Sequence, residues 1–274
     1  LKTTLFLLYF FILMVKSGSS FPAESFQGAA SPYFFSIIGW EGKHILSEGW
    51  DAIRYGSRTT TDQEDIALVN KNENLKSEIN SLEKVLTGGS PDTNLQIQMY
   101  LRARLESLNA ERKDLQVKAK FVLESQISLA LEQEGLTYQF PMFRNLSFLF
   151  PAVAYSPSDL PNLLIISPRE KIEISETMLL IPEMSPGEID SLENIVERRN
   201  VSALVERVGG IATYPSLLSE ETELATLLEG ISHEWFHQYL FFRPLGRNYR
   251  KDYQMTIINE TVADIGGKEI AKIV

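Results

Sequence analysis

The sequence predicts an α+β fold in which a long helical hairpin leads into a domain whose strands precede its helices. Three observations carry this reading. Leucines recur at near-heptad spacing across residues 62–135 and are interrupted once by strong turn residues. Short aliphatic runs, each stopped by a proline, follow between residues 163 and 215. Two helical patterns rich in chemically capable side chains then close the chain at Val274. Strands followed by helices on one sheet are the pattern of an α+β domain.

At the N-terminus, Lys2 precedes an unbroken apolar run from Leu5 to Val15, after which come Lys16 and the small residues Ser17 to Ser20. A helix of that length covers roughly 17 Å of a hydrocarbon core about 30 Å thick. Residues 1–20 are therefore expected to be a signal peptide or signal anchor, with a buried N-terminal strand as the alternative. Either form of the signal predicts export or attachment to the cell membrane, with the rest of the chain extracytoplasmic. Residues 21–61 form a Gly- and aromatic-rich linker. Its patch from Tyr33 to Trp40 would sit at a membrane interface or dock on the main domain.

In the hairpin, Leu75, Ile79, Leu82 and Leu86 draw one apolar seam, and Gly88-Gly89-Ser90-Pro91-Asp92 makes the turn. Leu101, Leu105, Leu108, Leu115 and Val122 supply the return seam. Two such helices should lie antiparallel, as a scaffold or as the seat of a protein partner.

Residues 136–274 make up the last domain. Strands are expected at Leu163–Ile166, Met178–Ile181 and Ala203–Val208. The last continues as Ile211–Tyr214 up to Pro215, as an edge strand able to pair with a peptide or as a buried one. A helix from Pro186 to about Arg199 presents Ile189, Leu192 and Val196 on one face. Ser219 is the expected N-cap of a helix running to about Phe242, and a final helix spans Asp252 to Ile273. The chain begins at Leu1 and stops inside that helical pattern, so a fragment truncated at its C-terminus is expected.

Composition narrows the chemistry. A net charge of −10 argues against nucleic acid as a partner, because phosphate binding needs a basic surface. With no cysteine, disulfides, thiolate metal sites and cysteine nucleophiles are excluded. No Gly-x-Ser-x-Gly elbow, Walker loop or dinucleotide fingerprint occurs in the chain.

What does occur is His233-Glu234-Trp235-Phe236-His237. Histidines at i and i+4 leave a helix on one face and can reach one metal ion, while Glu234 is placed to take a proton from water. Chance gives this pattern in roughly three chains per thousand of this composition. A hydrolytic zinc site needs a third protein ligand and an open position. Glu260 and Asp264 stand at i and i+4 on the next helix; one carboxylate can bind metal while the other orients a ligand histidine.

His-Glu-x-x-His followed by Asn-Glu-x-x-x-Asp on a second helix resembles the gluzincin, or thermolysin-like, zinc metallopeptidases. The stretch from about Leu163 to Ile273 also resembles uncharacterised bacterial membrane-anchored proteins of this kind. The resemblance implies a zincin-like catalytic domain holding one zinc ion through His233, His237 and Glu260. It further implies Glu234 as general base, Asp264 supporting His233, and Asn259 supporting His237. The substrate would be a peptide or protein. Such enzymes add a His or Tyr for the oxyanion, and no histidine follows His237. Tyr214, Tyr239, Tyr249, Tyr253, Arg243 and Arg247 are available, and Tyr214 is the residue expected to line the cleft. Two other readings are open: a membrane-tethered interaction protein with a non-catalytic metal site, or a zinc hydrolase acting on something other than peptides.

Overall fold

The computed structural model describes residues 25–44, 61–88, 95–140, 143–171, 173–220, 222–249 and 251–274. The expected anchor at residues 1–20 lies outside them. Among the described residues no helix is long and apolar enough to cross a membrane. The fold is α+β, and the chain divides into two compact units: residues 1–45 with 156–221, and residues 46–155 with 222–274. These units cut across the sequence divisions, because the helical hairpin and the two C-terminal helices belong to the same unit.

The first unit is built on a three-stranded antiparallel sheet. Strand β4 (Asn162–Pro168) lies in the middle, flanked by β5 (Glu176–Leu180) and β6 (Val201–Arg207). Leu164 and Ile166 point to the buried face, as period-two alternation requires. They pack with Leu180 and with Leu192 and Val196 of helix α4 (Pro186–Glu197). Ser185 starts that helix with a reciprocal capping box to Glu188. The N-terminal helix α1 (Phe26–Ala30) adds Ala30 to the same core.

The aromatic patch docks in this unit. The Phe35 N–H donates to the Leu179 carbonyl at 3.0 Å, and the Ile181 N–H donates to the Tyr33 carbonyl at 2.7 Å, so Phe34 bridges Leu180. A second small sheet has the order β3 (Tyr155–Pro157), β8 (Ser216–Leu218), β7 (Gly210–Ile211). The strand expected over Ile211–Tyr214 is thus only a two-residue edge strand. The chain turns back through Tyr214 and Pro215 to pair β8 on β7.

In the second unit the hairpin comprises α2 (Asp62–Gly88) and α3 (Leu95–Gln133), and residues 89–92 of the expected turn lie outside the described residues. Leu75, Ile79 and Leu108 form its buried seam, with Leu82, Leu105 and Leu115 against them. Two ion pairs fix the antiparallel register: Lys71 with Glu111 at 2.8 Å and Arg104 with Glu78 at 2.8 Å. Both are solvent-exposed, so they set alignment more than stability. A short two-stranded ribbon, β1 (Tyr138–Phe140) with β2 (Phe143–Phe148), follows.

The last helices are α5 (Leu224–Phe241), the short α6 (Pro244–Arg247) and α7 (Tyr253–Ile273). Helix α3 packs against both α5 and α7. Ser219 does not cap α5: the chain is still extended through β8, and the helix begins after Glu223, which makes no side-chain cap bond. Instead Lys76 of the hairpin donates to the Thr222 carbonyl just before the helix. Asp252 does cap α7, accepting from the Met255 N–H at 2.8 Å.

Candidate metal centre

Helix α5 is held by its apolar face. Leu227, Ile231 and Trp235 are buried, and the Trp235 indole donates to the Pro151 carbonyl at 2.8 Å. Trp235 also stacks on Tyr239, with ring centroids 5.1 Å apart. That anchorage fixes the rotation of the helix about its axis and turns His233 and His237 towards α7.

Helix α7 comes unusually close. Its buried face carries Asn259, Ala263, Gly267 and Ile270. A Cβ on Gly267 would stand 3.0 Å from both the Glu229 carbonyl oxygen and the His233 backbone nitrogen. A Cβ on Gly266 would stand 2.5 Å from the Phe236 ring. The missing Cβ at Gly267 eases this close approach of the two backbones, and that approach brings the Glu260 carboxylate over the histidines.

Three donor atoms converge there. His233 Nε2 and His237 Nε2 are 3.0 Å apart. Glu260 Oε2 lies 3.6 Å from the first and 3.4 Å from the second. Tetrahedral zinc with bonds of about 2.0–2.2 Å separates its ligand atoms by about 3.3–3.6 Å, so the two edges to Glu260 match and the histidine–histidine edge is slightly short. These three residues form a group that could hold a metal ion. Asp264 Oδ1 lies 3.3 Å from His233 Nδ1, on the side away from the triangle. A carboxylate there favours the proton on Nδ1 and leaves the Nε2 lone pair for the centre. Lys268 holds the other Asp264 oxygen at 3.4 Å.

Glu234 is only 8% exposed. Burial pushes its carboxyl up to about 8, and the nearby Glu260 charge adds to the rise. Burial also lowers His237, outweighing the attraction of Glu260, so its imidazole is held neutral, the form that donates a lone pair.

Asn259 is placed differently from the sequence expectation. Its side-chain amide donates to the Leu245 carbonyl at 3.1 Å and the Met255 carbonyl at 2.9 Å, tying α6 to α7 rather than supporting His237. Its Oδ1 is buried without a partner among the described residues. Tyr214 belongs to the other compact unit, where its N–H donates to Glu41 at 3.1 Å. The tyrosine that joins the centre is Tyr249: its hydroxyl donates to Glu260 Oε1, and its ring meets His237 edge-on at 5.8 Å and 90°. Tyr239 is engaged by Arg243 at 3.0 Å, and Tyr253 is 79% exposed. Sequence reasoning could list Tyr249 among several candidates, but only the loop between α6 and α7 selects it. The glycine pair at 266–267 is a missed signal that the sequence does contain, as small residues at helical spacing beside the acidic pair.

Comparison with known proteins finds no family model, no curated relative and no solved structure that matches the chain.

Proposed function

We propose that the protein is a zinc-dependent peptidase of the gluzincin type, with His233, His237 and Glu260 holding the metal. The observation that carries this reading is the donor triangle, whose edges of 3.0, 3.4 and 3.6 Å approach those of a tetrahedral zinc site with one position left open. When bound, zinc would supply a Lewis-acid charge that polarises a carbonyl and makes water nucleophilic near neutral pH.

The protein's own groups do the remainder. Glu234, buried next to the ligand His233 on the same helix, takes a proton from the attacking water and returns it to the leaving amine nitrogen. Asp264 keeps His233 in its metal-binding tautomer. The zincin-like reading of the fold rests on the same pair of facing helices. Residues 1–20 would export the chain or tether it to the cell membrane, with the centre outside the cytoplasm and a peptide or protein as substrate.

The decisive experiment measures zinc per chain and then the hydrolysis of an unstructured protein, with a chelator control. Glu234→Gln should retain the zinc and lose roughly 10²–10⁴ in rate. A purified protein without zinc, or a variant with undiminished activity, defeats the reading.

A second reading is favoured by one observation. Leu95, Met99 and Tyr100, at the start of α3, are 71%, 63% and 70% exposed. A protein partner covering them would make the hairpin an interaction arm. Activity loss without any effect on partner capture in Glu234→Gln would separate the two roles.

A further inference from the structure

Glu260 presents its two oxygens to different neighbours. Oε2 faces both histidine nitrogens, whereas Oε1 accepts the Tyr249 hydroxyl. A carboxylate that binds metal through both oxygens would, with the two histidines, supply four donor atoms and close a tetrahedral site. We infer that Tyr249 is a positioning residue that confines Glu260 to one-oxygen ligation and so keeps one coordination position open. This inference rests on the metal-centre reading above and deepens it.

Tyr249 is held for this task by its own surroundings. The chain leaves α5 at Phe241, turns through α6 and returns so tightly that a Cβ on Gly246 would lie 2.2 Å from the Leu240 carbonyl carbon and oxygen. The Tyr249 N–H then donates to the Gly246 carbonyl at 3.1 Å, and the Thr256 hydroxyl donates to the Tyr249 carbonyl at 2.6 Å. The backbone of Tyr249 is therefore fixed from both sides, by α6 and by the first turn of α7. Its ring lies edge-on against His237, so one side chain touches two of the three ligand residues. A phenol donor suits the task, because it satisfies one carboxylate oxygen without adding charge and has only two side-chain torsions to fix. Its hydroxyl contacts the carboxylate of Glu260, so its influence passes through that ligand.

The test compares wild type with Tyr249→Phe and Tyr249→Leu, using zinc affinity by competition with a chromophoric chelator and the visible spectrum after cobalt substitution. Tyr249→Phe keeps the ring against His237 and removes only the hydroxyl. It should weaken zinc binding roughly 10–100-fold. Its cobalt spectrum should change as Glu260 swings to two-oxygen ligation and takes up the open position. Tyr249→Leu should bind at least as weakly. Unchanged affinity and an unchanged cobalt spectrum in a folded Tyr249→Phe protein overturn the inference while leaving the metal centre standing. Failure of the wild type to bind zinc overturns the metal-centre reading itself.

Discussion

The sheet of the first unit and the helix pair of the second treat their buried polar groups in opposite ways. In the sheet unit they are paired. Asn162 donates to the Ile181 and Pro182 carbonyls at 2.8 and 3.1 Å. The outward N–H groups of edge strand β6 are capped from α4: Val205 donates to Glu193 at 2.7 Å and Ala203 to Glu197 at 3.5 Å. Such capping also closes that edge to further strand pairing. In the helix pair, Glu234 is buried with a second carboxylate for a neighbour, and Ser232 Oγ and Asn259 Oδ1 are buried without partners among the described residues. Each unsatisfied group costs about 1–3 kcal/mol. Both stand one residue before a proposed metal ligand. The sheet is consistent at every level, while the helix pair carries the local conflicts expected where a protein does chemistry.

Three perturbations should sharpen this contrast. The largest falls on the sheet. Leu164→Ala empties a fully buried position and should cost about 2–5 kcal/mol in chemical denaturation. Zinc affinity of the folded fraction should be unchanged, and a parallel loss of affinity would show that the two regions are not independent.

The next effect is a pH dependence confined to the helix pair. With its folded pKa raised to about 8 from an ordinary 4.5, Glu234 stays protonated in the metal-free fold while the unfolded chain ionises. The stability it contributes is full below pH 4.5 and is lost as pH rises through 8. Between pH 5 and 8 the loss should be about 3 kcal/mol, read as a falling melting temperature of the metal-free protein. Glu234→Gln should flatten that slope; a slope that survives the substitution would assign it to another group.

The smallest effect tests how closely the two helices must approach. Gly267→Val should cost about 1–3 kcal/mol, because its side chain meets the backbone of α5 rather than a movable side chain. Unlike Leu164→Ala, it should also weaken zinc binding by moving Glu260 away from the histidines. Wild-type affinity in a folded Gly267→Val protein would show that close approach is unnecessary.

Much of this was legible from local pattern. Heptad leucines gave the hairpin, proline-bounded aliphatic runs gave β4 and β5 to within a few residues, and the last helix was correctly placed between Asp252 and Ile273. The start of α5 was not, because Ser219 and its acidic followers look like a cap until β8 takes the preceding residues into a sheet. The strand through Tyr214 was over-extended for a related reason. Its length is limited by where β8 folds back onto β7, a pairing that alternation cannot reveal.

The sequence by itself determined which atoms can meet along one helix. His233 with His237, and Glu260 with Asp264, are set four residues apart, and helical geometry then places each pair on one face. Only the tertiary structure decided what those faces meet. The approach of α7 over Gly266 and Gly267 brings Glu260 Oε2 to the histidines. The tight return at Gly246 selects Tyr249 from several tyrosines, and Asn259 is turned to the Leu245 and Met255 carbonyls. The physical reason is that helical spacing is a property of the local backbone. Contact between helices depends on packing among residues far apart in the chain.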